Sequence, residues 1–526
     1  MAINDETGTN PTQTSVARAG GIMMASLFLS RVLGIIRDIV TASLFGQNEH
    51  TDAYRISYQI PDLLFFLVAG GALSSAFIPV FSEYLAKKED DEAWTVYSVV
   101  LCVMSIALVV LIGVAWVLAP QISAIVCGGK ANLIGEVTLM SRIVLPAQFA
   151  FFIGGLMMGT LYARGVFSVP GLGPNIYNLG IIAGAVVLGH VVSPGVAGMS
   201  WGALVGALLG NIVVPLWAMK KVGVKFRPSL QLQHPGVKKV FRLMLPVILG
   251  LSLPGVYALI LQYFSTFYDQ GSNTAVDTAN RLMQAPLAIF GQSLALAAFP
   301  VLSQFWSLDN KPAFGSQLTK SLRTVVDLTL PVTAILVALP WQIVRALFEH
   351  GQFTATDTAR TAPILQTFSL GVAAWCLHPL LMRGYFAMQK NVKPIVMGTV
   401  ATAVFVGFGW TIVVLRLPAA WFGLAGTVSA TMLVVAMMLD LRREADSVDV
   451  RSIAGTIGKA LIAATAVGIP VWLLGKVCDL ITFKPANICA LVLLGLAAAW
   501  GYYFLTKLLG MSETSYLDRA LNKRKR

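Results

Sequence analysis

The sequence predicts an all-α polytopic membrane protein. About 14 transmembrane helices are expected, as two parallel six-helix lobes followed by two C-terminal helices. Three observations carry this reading. Of 526 residues, 56% are hydrophobic and only 12% charged, with a mean hydropathy of +0.74; soluble domains carry about 25% charged residues. Apolar stretches of about 20 residues, enough to cross the hydrocarbon core, recur along the chain. Short motifs also recur at a nearly constant offset.

The candidate spans are 20–45, 53–82, 95–118, 134–162, 176–192, 200–219, 241–268, 277–304, 324–345, 362–387, 394–415, 421–440, 456–475 and 486–507. The segment before residue 20 is polar and reads as a disordered cytoplasmic N-terminus. The first apolar run begins late, is long, and contains Arg31 and Arg37, so it reads as a retained span rather than a cleaved signal. The second, fourth, eighth and tenth candidates carry Arg55, Arg142, Arg281 and His378. These four are expected to border a water-filled interior.

Basic residues set the orientation. With the N-terminus inside, the even-numbered connections hold Lys87, Lys88, Arg164, the run Lys220 to Lys239, Arg383, Lys390, Lys393, Arg442, Arg443 and Arg451. The opposite connections hold few, among them Lys130, Arg345, Lys476 and Lys484. Both termini are therefore expected in the cytoplasm. The net charge of +13 reads as this bias plus a basic tail at 509–526, which could touch anionic lipid but reads chiefly as a topology anchor. No basic, aromatic-interleaved stripe suggests nucleic acid.

The repeat sets the domain plan. Ala76-Phe77-Ile78-Pro79-Val80 resembles Ala298-Phe299-Pro300-Val301, and Asp52, Gln59 and Pro61 have the spacing of Asp277, Gln284 and Pro286. Ala163 and Pro170 match Ala387 and Pro394, and Ile125 and Gly129 match Leu347 and Gly351. Four matches in order at one period indicate a duplicated six-helix unit. Six is even, so both copies enter from the same side, and an alternating-access transporter is the usual use of such a pair. The expected parts are an N-lobe at 20–220, a basic linker at 221–240, a C-lobe at 241–440, two further helices within 441–508, and the tail.

Charge inside the first span is the functional clue. Ser30-Arg31-Val32-Leu33-Gly34-Ile35-Ile36-Arg37-Asp38 places two arginines and an aspartate where each arginine costs about 2.5–3.5 kcal/mol in lipid. Arg31 and Asp38, two helical turns apart, share a face. Such a patch either meets an anionic cargo or forms a structural Arg–Asp pair. On the second copy, Asp277 and Arg281 are four apart and could pair. Enzyme and cofactor signatures are missing. There is no Walker A sequence, GxSxG or zinc spacing, and the five cysteines are scattered. The chain is therefore read as no enzyme, with no metal and no cofactor.

Several motifs resemble the MurJ/MviN family: Ser30 to Gly34 with Arg37-Asp38, Thr51-Asp52-Ala53-Tyr54, Ala72 to Val80, Ala279-Asn280-Arg281-Leu282-Met283-Gln284-Ala285-Pro286, and Leu347 to Phe353. The resemblance covers nearly the whole chain. It implies the multidrug/oligosaccharidyl-lipid/polysaccharide exporter fold in a bacterial inner membrane. It also implies a cargo of lipid II, the undecaprenyl-diphosphate-linked peptidoglycan precursor, moved from inner to outer leaflet. Its substrate residues fall here on Arg31, Arg37, Asp38, Asp52 and Arg281, and its last two helices imply a groove for the prenyl tail. Many members carry a dibasic pair where this chain has Phe65-Phe66, and an acid where it has Gly70. Arg55, about three turns earlier, is the candidate substitute. The expected partners are lipid II or a related glycan, membrane lipids and proteins of cell-wall synthesis. The alternatives are export of another lipid-linked oligosaccharide or a transport-silent scaffold of cell-wall synthesis.

Overall fold

The computed structural model describes residues 11–68, 72–164, 166, 169, 171–390, 392–445, 448–479 and 484–511. Expectations for residues 1–10, for Gly70 and for the tail beyond Met511 lie outside them. Every regular element among the described residues is a helix, with no strand. They divide into two compact units, Met1–Leu259 and Ile260–Arg526.

Unit 1 opens with α1 (Pro11–Phe45), α2 (Glu49–Ser57), α3 (Gln59–Val68), α4 (Ala72–Ala86), α5 (Asp90–Val117) and α6 (Ala119–Val126). It continues with α7 (Ile134–Val144), α8 (Ala147–Ala163), α9 (Leu172–Val187), α10 (Ala197–Leu208) and α11 (Val214–Lys221). Helix α12 (Pro235–Ser265) leads into unit 2. There follow α13 (Ser272–Pro286), α14 (Gln292–Ser307), α15 (Lys311–Ala338), α16 (Pro340–Phe348), α17 (Ala355–Ser369), α18 (Val372–Ala387), α19 (Val392–Val414), α20 (Trp421–Glu444), α21 (Val450–Cys478) and α22 (Lys484–Leu508).

Among the described residues, ten helical stretches are long and apolar enough to cross a membrane, or eleven if α17 and α18, bent by 47°, count as one. They coincide with eleven of the expected spans. The other three, 20–45, 53–82 and 241–268, fall on α1, on α2 to α4 and on α12, each containing side chains outside the described set. Helix α1 starts earlier than residue 20, with Pro11 in its first turn, where a missing N–H leaves no bond unmade.

The second expected span is broken, and its chemistry shows why. Asn48 caps α2 by accepting from the Thr51 N–H, and Thr51 accepts in return from the Asn48 N–H. Glu49 and Asp52 in the first turn suit the positive end of the helix dipole. Pro61 then has no N–H to give to the carbonyl of Ser57, and α2 ends there. The Ser141 hydroxyl of α7 donates to that carbonyl at 2.8 Å instead.

Unit 1 has an aromatic core in which Phe81 meets Trp94 edge-on at 5.6 Å and Trp94 meets Tyr97 at 5.6 Å. Helices α9 and α10 touch through glycines: a Cβ on Gly180 would lie 2.5 Å from the Gly202 carbonyl oxygen, and one on Gly198 2.7 Å from that of Gly184. Close backbone approach through small residues is how lipid-embedded helices gain contact.

The sequence matches land on corresponding parts of the two units. Pro79 lies within α4 and Pro300 within α14, while Ala163 and Ala387 each end a helix. In unit 2, polar bonds from α15 and α16 hold the last two helices. Arg323 Nε donates to Thr456 Oγ1 at 2.8 Å, Tyr502 Oη to Asp327 Oδ1 at 3.3 Å, and the Asp449 N–H to Thr319 Oγ1 at 3.1 Å. At the far end Gln342 of α16 donates to Asp479, just past α21, at 2.7 Å.

Candidate functional site

Helix α1 is seated on α9 by a repeated serine–asparagine contact. Asn175 donates to Ser26 Oγ at 2.8 Å, and Asn178, one turn later, donates to the Ser30 carbonyl at 3.2 Å and to the Pro174 carbonyl at 3.0 Å. With its amide nitrogen so used, Asn178 turns its oxygen to Arg37, whose Nη1 donates to it at 3.1 Å.

The rest of the Arg37 fork folds back on its own neighbour. Nε and Nη2 donate to Asp38 Oδ1 at 3.2 and 3.0 Å. Arg55 of α2, buried, brings its Nη2 to 3.6 Å from the same oxygen. Two guanidiniums from two helices thus converge on one carboxylate. The hydroxyls of Tyr54 and Tyr58, also on α2 and the turn after it, are 3.1 Å apart beside this cluster's helix.

The remaining candidates are placed differently. The shared face of Arg31 and Asp38 does not yield a pair: seven residues separate them by about 10 Å along the axis, and Arg37 and Arg55 engage Asp38 instead. Arg31 is exposed, with no ion pair among the described residues. Asp52 is fully buried and meets Lys130 Nζ at 2.5 Å. Beside it His50 pairs with Glu136 at 2.9 Å and Asn132 donates to Glu49 at 3.2 Å, so three polar contacts join the start of α2 to the segment 130–136.

Lys130 is the residue that sequence reasoning missed. It was legible only as one of the few basic residues of an outward connection. In unit 2, Arg281 Nε donates to Asp277 Oδ2 at 2.7 Å, the expected pairing, and its side chain remains 42% exposed.

Arg142 corrects one expectation. Rather than bordering a polar interior, it donates to the Trp116 carbonyl at 3.0 Å and lies over that indole at 4.4 Å, at the end of α5. An arginine head on a tryptophan at a span end is an interfacial anchor. His378 is half-buried on α18, and Phe65 half-buried on α3. No three His, Cys, Asp or Glu side chains among the described residues are grouped to hold a metal.

Outside the spans, Lys239 of α12 and Lys87 hydrogen-bond Glu83 at 2.6 and 3.0 Å and hold its carboxyl down at about 2.

An all-helical chain with charges paired within its helices has the fold class of the multidrug and oligosaccharidyl-lipid exporters. Solved structures share it. A chain described as the lipid II flippase MurJ in an inward closed conformation superposes with a TM-score of 0.77 at 21% identity, covering 93% of this chain and 99% of that one. An inward-facing multidrug resistance MATE family transporter of the MOP superfamily gives 0.68 at 14% identity, covering 81% and 98%.

Sequence relatives are more specific. The lipid II flippase MurJ of Burkholderia cenocepacia is 29% identical over 376 residues, 70% of this chain and 72% of its own. The probable lipid II flippase MurJ of Haemophilus influenzae is 26% identical over 465 residues, 84% and 90%. The family described as lipid II flippase MurJ matches residues 41–489. The chain belongs to this family. It is a multi-pass membrane transporter and not an enzyme.

Proposed function

We propose that this chain carries lipid II from the inner to the outer leaflet of the bacterial cytoplasmic membrane by alternating access. The observation that carries this reading is the Arg37–Asp38–Arg55 cluster, charge held within the helices of a chain of the MurJ family. Guanidinium forks match the paired oxygens of a diphosphate.

In this reading Arg31, Arg37 and Arg281 neutralise the diphosphate, and Arg55 supplies the charge that Phe65 and Phe66 do not. Asp38 orders Arg37 and Arg55, and Asp52, paired with Lys130, fixes the start of the helix that carries Arg55. The lobes are 20–220 and 241–440, joined by the basic linker 221–240. The outward apolar faces of α21 and α22, with Trp472, Leu493, Leu496 and Phe504 exposed, suit a prenyl tail. Both termini lie in the cytoplasm, and cell-wall synthesis proteins are its working neighbours.

An inside-negative potential of about 100 mV favours exit of about two net negative charges by about 4–5 kcal/mol if they cross the full field uncompensated. Depletion of the protein in its own cells, with a leaflet-resolved assay of lipid II, tests the proposal. Lipid II should accumulate on the cytoplasmic side, rescued by wild type and not by Arg281→Ala or Arg31→Ala inserted at normal levels. Normal exposure of lipid II in depleted cells without a second flippase would reject this cargo and turn attention to other lipid-linked glycans.

A further inference from the structure

The two buried ion pairs of unit 1 are built differently. Asp52–Lys130 is sealed, at 0% and 9% side-chain exposure, and it joins parts of the chain 78 residues apart. Its geometry is that of a fixed cross-link. Arg37–Asp38 joins two neighbours on one helix, and both side chains keep some exposure, 16% and 14%. Asp38 reaches α2 through Arg55, at the looser distance of 3.6 Å, while Arg37 is held separately by Asn178 of α9.

We infer that Asp38 is an exchangeable counter-anion: it occupies the guanidiniums of Arg37 and Arg55 between cargoes and yields them to the diphosphate. This rests on the proposed diphosphate cargo.

The chemistry favours exchange at this point. Uncompensated guanidiniums inside lipid-crossing helices are costly, so some anion must accompany them when no cargo is bound. One carboxylate oxygen is shared by the two forks. A diphosphate offers more acceptor oxygens and more charge, and can take each fork two bonds at a time. Asn178, anchored to the carbonyls of Ser30 and Pro174, keeps hold of Nη1 when Asp38 lets go, so the Arg37 fork stays aimed. After release, Asp38 is one residue away and recaptures the fork. Asp38 therefore weakens cargo binding and speeds its departure. That effect separates it from a merely structural partner, whose loss would lower affinity and rate together.

The test titrates farnesyl diphosphate against the purified full chain in nanodiscs and measures lipid II transport in parallel. Asp38→Asn should bind at least about tenfold tighter than wild type, the reciprocal of losing one charge-assisted competitor, and transport more slowly. Arg55→Gln should bind about tenfold more weakly. Wild-type binding with Asp38→Asn no tighter, or with Arg55→Gln within about threefold of wild type, overturns the exchange while leaving the cargo reading intact. Should Asp38→Asn fail to fold, the Arg55→Gln titration decides alone. Failure of wild type itself to bind the diphosphate overturns both.

Discussion

Replacing Lys130 by methionine would take the ammonium from a buried carboxylate. The Lys130 ammonium lies 2.5 Å from Asp52 Oδ2, and neither side chain is more than 9% exposed. Removing one member of such a pair costs about 3–5 kcal/mol, because the survivor stays buried with its charge, whereas replacing both with apolar or neutral groups of like size is often nearly neutral. Lys130→Met and Asp52→Asn should therefore each lower the apparent melting temperature of the purified protein, Lys130→Met the more. The double variant should recover most of the loss. A polytopic protein does not unfold in two states, so the measured quantity is the ordering of midpoints and the non-additivity, about 2 kcal/mol or more by a double-mutant cycle. Tryptophan fluorescence against temperature in one detergent suffices. A Lys130→Met midpoint within about 1 °C of wild type, or strictly additive losses, would refute the claim that this pair is a sealed cross-link.

Three further outcomes follow from the same geometry. Glu83, held at about 2 against an ordinary 4.5 by Lys239 and Lys87, should remain ionised at pH 4 by carbon-13 NMR. The pairing is fully present above the ordinary value and is lost as pH falls through about 2; Lys239→Gln should move the titration upward. Gly180→Ala should force α9 and α10 apart, since its Cβ would stand 2.5 Å from the Gly202 carbonyl oxygen, and cost about 1–3 kcal/mol, seen as reduced membrane levels and a lower midpoint. Arg142→Gln should leave lipid II export unchanged in a complementation assay, because its guanidinium lies on Trp116 and not in the charged cluster; loss of export at normal protein levels would contradict its placement.

The helices were legible in the sequence because a bilayer imposes one requirement on all of them, a run of apolar residues of fixed length. Eleven expected spans reappear, although α15 starts 13 residues before the expected 324 and the end of that span belongs to α16. The break at Ser57–Tyr58 was not legible: Pro61 was read only as part of the repeat, and the Ser141 hydroxyl that makes the freed carbonyl tolerable is 84 residues away. The site was half legible. That charge sat in α1 was plain, as was the Asp277–Arg281 pair, which needs only helical spacing. Partner choice was not, because Asn178 is 141 residues from Arg37 and Lys130 is 78 from Asp52. Hydropathy gave no means of telling an anchoring arginine such as Arg142 from an interior one such as Arg55.

The polar bonds along α15 and α16 have a mechanical meaning for the last two helices. A rod fixed to a body at one point can swing; fixed near both ends, it cannot. Helix α21 is held at its start through Asp449 and Thr456 and beyond its end through Asp479, and α22 is held through Tyr502 and, near its start, through Asn487, which donates to the Cys478 carbonyl at 2.6 Å. The pair thus enlarges the lipid-facing area of unit 2 without adding a degree of freedom to it. Spin labels on α15 and α21 would keep one separation through every state of the transport cycle.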